Sequence, residues 1–336
     1  MPEKKTSPAG SPPLEKGGQG EISDDAYNVA ATIDPHPEFS MKIPTSPFQG
    51  EVKIGEALRL AAKELTQTQT PQLDARILLR HALSLDDAGL IAHANDPMPP
   101  AGADHYAALI ARREKGEPVA YLTGVKEFWS LPFKVTPDVL IPRDDSGALI
   151  EAALARRGRD EPLRIVDLGT GSGCLLCALL SEFPNSEGVG VDASEAALAV
   201  ARENAAALGL AGRARFLAGD WLQPLSGAFD IVIANPPYIP EGDRPGLARD
   251  VAGYEPSSAL FAGADGLDAY RAILGGLAAR LSKEALVLME CGSDQVAPLS
   301  AMLARLAPEK ALFTMADLAG RPRGAGIDLR KTEKRD

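Results

Sequence analysis

Apolar residues recur at helical spacing from residue 51 to about 116. Leu58, Ala61, Ala62 and Leu65 fall on one helical face, Leu78, Ala82 and Leu85 on a second, and Tyr106, Leu109 and Ile110 on a third. Asp96, Pro97, Pro99 and Pro100 interrupt the run, since proline has no N–H to donate and clashes with the preceding turn. A small helical domain is therefore expected over 51–116. The texture changes at EPVAYLTGVKEFWSLPFKVTPDVLIPR, where aromatic and β-branched residues interleave with Gly and Pro; this reads as a hairpin connector over 117–145. From 146 to 332 strand-like and helix-like segments alternate. RIVDLG, GVGVD, RARFLAGD and FDIVIAN read as strands, as do ALVLMEC, ALFTMADL and IDLRK, with helices such as SEAALAVARENAAALG between. Such alternation predicts an open, mostly parallel α/β sheet covered on both faces. Residues 1–50 are rich in Pro, Ser, Gly and Lys without a sustained apolar period, which predicts a disordered tail, and a start at Met41 would lose nothing foldable.

In an open α/β sheet, ligands bind beyond the carboxyl ends of the strands. The chemistry-bearing residues should then follow each strand. After the first comes D-L-G-T-G-S-G, Asp167 to Gly173, whose glycines (Gly169, Gly171, Gly173, with Thr170 and Ser172 between) let a ligand approach the main chain. The spacing is neither that of a dinucleotide fingerprint nor that of a phosphate loop. The second strand ends in Asp192, where a carboxylate can accept from two ribose hydroxyls; capping of the next helix is its alternative, for which Ser194 is better placed. The third ends in Asp220 and Trp221, an acceptor for an adenine amino group beside an indole that can pack on the ring. The series fits an adenosine ligand without a pyrophosphate.

The fourth strand runs into Asn235-Pro236-Pro237-Tyr238, and the two prolines end its ladder. The Asn235 side-chain carbonyl and the Pro236 backbone carbonyl are rigid acceptors that can hold both N–H bonds of a planar NH₂ group, with Tyr238 on its flat face. Gripping both hydrogens favours a pyramidal nitrogen with its lone pair aimed at an electrophile, which needs positioning rather than a strong base.

D-L-G-T-G-S-G, V-D-A-S, G-D-W and N-P-P-Y resemble the class I S-adenosylmethionine-dependent methyltransferases, specifically those acting on planar nitrogen. AYLTGVKEFWSLPFKVTPDVLIPR, VAGYEPSSALFAGADGLDAYRAIL and LMECGSDQ are similar to the HemK/PrmC family, a likeness running from about residue 55 to 330. The resemblance implies a Rossmann-like sheet of seven strands preceded by a helical substrate-recognition domain. It implies methyl transfer from S-adenosyl-L-methionine to the glutamine amide nitrogen (N5) in the Gly-Gly-Gln motif of class I peptide chain release factors. By position, Gly169 to Gly173, Asp192, Asp220, Trp221 and Asn235 would bind the cofactor, Phe128 would lie near its methyl group, and Asn235 to Tyr238 would grip the glutamine. Two departures stand out: I-P-R-P-D-T-E of the family becomes I-P-R-D-D-S-G, Ile141 to Gly147, and E-I-G becomes Glu290-Cys291-Gly292.

Composition narrows the field. With 35 Lys plus Arg against 46 Asp plus Glu, the formal charge of −11 argues against holding a polyanion through the overall field. A nucleic-acid adenine-N6 methyltransferase, which uses a related strand-four motif, is the enzymatic rival, and a non-catalytic cofactor-binding module the other. No apolar stretch suggests a membrane span, and the polar start MPEKKTSPAG lacks the apolar core of a secretory signal, so a cytoplasmic protein with neither membrane nor stable nucleic-acid partner is expected. Cys174 and Cys177 form C-x-x-C inside an apolar helix, which reads as packing rather than a zinc or redox site. All four histidines (His36, His81, His93, His105) precede the catalytic half. Arg76, Arg80, Arg112, Arg113 and Lys115 read most simply as a solvated helix surface, with part of a docking face for an acidic partner as the alternative, and Gly17-Gly18-Gln19 in the tail as a chance copy of the substrate tripeptide rather than an intramolecular pseudosubstrate.

Overall fold

A computed structural model describes Phe48, residues 52–317 and residues 319–330. Apart from Phe48, the expected tail, including Gly17-Gly18-Gln19, lies outside the described residues. Helices α1 (Ile54–Glu64), α2 (Pro71–Leu83), α3 (Asp87–Ala92) and α4 (Pro100–Glu114) build the helical part, followed by the short α5 (Val119–Thr123). Proline at N1 opens both α2 and α4, where its missing N–H costs nothing. The buried face of α1 is Ile54, Ala57 and Ala61, continued by Leu65, with Leu58 and Ala62 only partly covered. Arg113 is not on a solvated surface. Its Nε donates to buried Asp74 at 2.7 Å, and Asp74 also accepts from the Thr68 and Thr70 hydroxyls. The helical spacing of Arg113 exposed nothing of Asp74, 39 residues away.

The connector forms an antiparallel hairpin, β1 (Val125–Phe128) and β2 (Leu131–Lys134). Its two turn residues, Trp129 and Ser130, have φ of +53° and +58°, a left-handed conformation that non-glycine residues adopt at a cost. Trp129 is anchored there by its indole N–H, which donates to Glu182 at 2.8 Å.

The remaining elements are α6 (Gly147–Leu154), β3 (Arg164–Leu168), α7 (Cys174–Glu182), β4 (Glu187–Asp192), α8 (Glu195–Ala207), β5 (Ala214–Ala218), β6 (Phe229–Ala234), α9 (Arg249–Tyr254), α10 (Ser257–Leu260), α11 (Asp268–Leu277), β7 (Leu281–Glu290), α12 (Val296–Leu303), β8 (Leu312–Ala316) and β9 (Pro322–Asp328). The seven strands β3 to β9 form one sheet in the order β5-β4-β3-β6-β7-β9-β8. All neighbours are parallel except β9, which runs antiparallel to β7 and β8. Apolar clusters fill both faces, one around Leu176, Leu179 and Ile231, the other around Val232, Ile273 and Val287. This is the class I methyltransferase fold. The chain leaves β3 toward β4 and β5 and returns to its other side as β6, so the crevice between the β3 and β6 carboxyl ends is the ligand position of such a sheet.

The last strand is Pro322–Asp328, five residues earlier than the IDLRK segment suggested. Gly324 and Gly326 resemble a turn in sequence, yet a Cβ at Gly326 would sit 2.5 Å from the Phe313 ring and one at Gly324 would sit 2.6 Å from the Met289 carbonyl oxygen. Glycine is there so that β8 side chains can lie across β9.

Candidate active site

The turn after β3 brings the glycine loop to the crevice. Gly169, Gly171 and Gly173 all have positive φ. At Gly171 an added Cβ would meet nothing within 4 Å, which leaves the main chain open to the cavity, whereas at Gly169 it would meet the Trp221 ring at 3.3 Å. Buried Thr170 donates to Asp167 Oδ2 at 2.7 Å, while Asp167 Oδ1 has no hydrogen-bond partner among the described residues. Burial pushes the Asp167 carboxyl up to about 7, against the Thr170 hydrogen bond. Asp192, at the end of β4, accepts from the Gly171 N–H through Oδ2 and from the Ser194 N–H through Oδ1, both at 2.9 Å. Ser194 itself caps α8 by accepting from the Ala197 N–H. Asp192 therefore shapes the loop as well as facing the crevice. Asn204 of α8 carries the loop's position to the hairpin, donating to the Ser172 and Lys134 carbonyls and accepting from the Lys134 N–H.

Gly169, Gly171, Asp192, Asp220, Trp221, Asn235 and Pro237 line one cavity of about 460 Å³. Asp220 is exposed, and Trp221 is half-buried with φ of +47°. Thr170, Ser172 and Gly173 do not line it; they form the buried underside of the loop. Phe128 stands apart as well. It is buried with Phe133, ring centroids 6.4 Å apart, and borders a second cavity of about 350 Å³ with Trp129, Asp145 and Gly147. Sequence order had suggested neither wall of the larger cavity: Pro137 to Leu140 on one side and Pro256, Ser258 and Ala259 on the other. The Arg143 guanidinium paired with buried Glu255 joins the two walls, and Glu255 also accepts from the Ile141 N–H at 3.3 Å. Burial pushes the Glu255 carboxyl up despite Arg143.

Asn235 to Tyr238 leave β6 at this cavity, with Asn235 half-buried and Pro236 buried. Gln295 holds the segment from behind, its Nε2 donating to the Tyr238 carbonyl at 2.8 Å. Gly266 is pressed against the same carbonyl: a Cβ there would lie 2.2 Å from it. Burial pushes the Tyr238 phenol up to about 12, so it stays neutral. Asn235 Nδ2 donates to Ser146 Oγ at 3.2 Å, and Ser146 Oγ donates to Glu290 Oε2 at 2.5 Å. Burial pushes the Glu290 carboxyl up to about 7, opposed by the Ser146 hydrogen bond. Ser146, Glu290 and Gln295 are site-supporting residues that sequence order did not assign a role. The signals were a glutamate closing the wholly apolar run ALVLM and the family likeness of the stretches LMECGSDQ and I-P-R-D-D-S-G that hold these residues.

Residues 56–124 match the PrmC N-terminal domain and residues 159–304 match a methyltransferase domain. A release factor glutamine methyltransferase of Bradyrhizobium diazoefficiens is 42% identical over 285 residues, 83% of this chain and 95% of the relative. The chain belongs to the release factor glutamine methyltransferase family. Further members from Moorella thermoacetica, 44% identical over 80% of this chain and 95% of the relative, and from Cereibacter sphaeroides, 41% identical over 81% and 97%, match over both parts. The family match therefore spans the helical part and the sheet together. Among the described residues no helix is long and apolar enough to cross a membrane.

Proposed function

We propose that this chain transfers a methyl group from S-adenosyl-L-methionine to the side-chain amide nitrogen of the glutamine in the Gly-Gly-Gln motif of class I peptide chain release factors. The observation that carries this reading is the presentation of Asn235, its segment pinned by Gln295 and its carboxamide tethered through Ser146, at the mouth of a cavity bounded by Gly171, Asp192 and Trp221. The residues present fit the cofactor: Gly171 leaves open room, the Asp167 Oδ1 has no partner among the described residues, and Asp192 and Asp220 offer acceptors at the ends of β4 and β5. When bound, it supplies an electrophilic methyl group. This chain's own contribution is to hold the substrate NH₂ through the Asn235 Oδ1 and Pro236 carbonyl acceptors, so that its lone pair is free and directed. Asp192 and Trp221 orient the nucleoside, and the helical part α1 to α4 is the region we assign to contacting the release factor. Membership of a family whose relatives match over both parts gives the adenine-methyltransferase alternative no observation of its own. The test is incubation with methyl-labelled cofactor and a purified release factor, followed by mapping of the modified residue. Label on the Gly-Gly-Gln glutamine is expected, and its loss by about 10²–10³ in rate in Asn235→Ala. Label found only in nucleic acid would overturn the reading.

A further inference from the structure

We propose that Ser146 and Glu290 act as a polar tether that sets which way the Asn235 carboxamide faces. The tether turns the Asn235 nitrogen back into the protein and leaves the oxygen for the substrate. A carboxamide has two faces of nearly equal shape, so packing alone distinguishes them poorly, whereas hydrogen-bond polarity distinguishes them fully. Ser146 is 3% exposed and Glu290 2%, so neither can exchange its partner for bulk water. A serine hydroxyl has one hydrogen, and that of Ser146 is committed to Glu290 Oε2. Its oxygen can then only accept, and Asn235 Nδ2 is what it accepts from. With the amide reversed, Asn235 Oδ1 would face a hydroxyl oxygen with no hydrogen between them. Glu290 is fixed in turn: its carbonyl accepts from the Tyr270 hydroxyl at 2.8 Å, and its backbone pairs with Gly324.

The polarity of the tether originates in the ionised carboxylate. A protonated Glu290 can itself donate to Ser146 Oγ, which frees the serine hydrogen for Asn235 Oδ1 and favours the reversed amide. The charged groups around Glu290 are Arg143 on the connector, Asp145 beside Ser146 and Arg323 on β9, and Asp145 is paired with Arg323 at 2.8 Å. Tyr238, Tyr270, Cys174 and Cys291 also face it, each pushed up by burial and neutral. Glu290 is thus the group whose titration sets the hydrogen-bond direction. The inference rests on the reading that Asn235 grips the substrate amide.

The experiment is steady-state methylation of a purified release factor by full-length Ser146→Ala, Ser146→Thr, Glu290→Gln, Asn235→Ala and the Ser146→Ala/Asn235→Ala double variant. Cofactor affinity is measured alongside by calorimetry. Ser146→Ala is expected to lower kcat about three- to tenfold, the worth of one hydrogen bond, with cofactor Kd unchanged. Ser146→Thr, which keeps the hydroxyl, should recover that loss. Glu290→Gln should lose a similar factor, and a rise in kcat with pH near 7, expected for wild type, should be absent from it. In the Asn235→Ala background, Ser146→Ala should cost nothing further. Equal cost of Ser146→Ala in both backgrounds, a parallel fall in cofactor affinity, or failure of Ser146→Thr to improve on Ser146→Ala would each overturn the tether. A wild-type rate in Asn235→Ala alone would instead sink the grip itself, whatever Ser146 does.

Discussion

Replacing Glu290 by Gln should make the protein more stable at neutral pH, even as it impairs the site. The carboxyl is 2% exposed, and burial raises its pKa from 4.5 to about 7 in the folded chain. Between those values the folded state keeps a proton that the unfolded chain has released. By linkage, this group's contribution to folding is therefore greatest below about pH 4.5, and it drains away as pH rises through 7. A pKa raised by that much corresponds to about 3 kcal/mol lost between the two ends of the window. Gln is the neutral isostere of the protonated form. Glu290→Gln should then match wild type near pH 4.5 and exceed it by up to about 3 kcal/mol at pH 8. Both tryptophans, Trp129 and Trp221, lie outside the helical part α1–α4. Urea unfolding followed by tryptophan fluorescence at a series of pH values therefore reads the methyltransferase part. Asp167, whose carboxyl is raised in the same direction, is present in both proteins and cancels in the difference. Stability curves that stay parallel across pH 4.5 to 8 would refute a buried, titrating Glu290.

Asp192→Ala removes an acceptor facing the cavity together with the tie to the Gly171 N–H; cofactor Kd by calorimetry should weaken more than about tenfold, the scale of a hydrogen bond to a charged group. Gly266→Ala forces a Cβ to within 2.2 Å of the Tyr238 carbonyl at a φ of +72°, so a stability loss of about 2 kcal/mol or more, read as a lower unfolding midpoint, and slower methylation are expected. Gly147→Ala, by contrast, places its Cβ at an ordinary 3.4 Å from the Trp129 ring in helical backbone with φ of −56°, and stability should change by less than about 1 kcal/mol.

Strands β3, β4, β6 and β7 were legible because a strand covered on both faces must be continuously apolar, and RIV, GVGV, FDIVIA and ALVLM are nearly so. The crevice was legible for the same reason: once the strands are known, so are the residues that follow them. What stayed hidden was long-range polar pairing. Ser146 meets Glu290 across 144 residues, Arg143 meets Glu255 across 112, and Arg113 meets Asp74 across 39. No local period records such a pair, and a lone polar residue at a strand end looks the same whether it faces water or a partner. The position of β9 was missed for a related reason, since its glycines answer to Phe313 and Met289, which belong to other strands.

The insertion of β9 between β7 and β8 has a consequence for how the chain emerges from the ribosome. Strand β7 is complete at residue 290, but its outer neighbour begins only at Pro322. Until that segment emerges, the growing polypeptide presents β7 with one edge of unpaired backbone N–H and C=O groups, the kind of surface on which other chains can pair. Glu290 pairs through its backbone with Gly324, so the strand that carries the Ser146 acceptor gains its second neighbour only then. Premature release before residue 322 yields a product that retains the whole glycine loop and Asn-Pro-Pro-Tyr yet lacks the strand that pairs with β7 and β8. An unpaired strand edge of this kind favours aggregation.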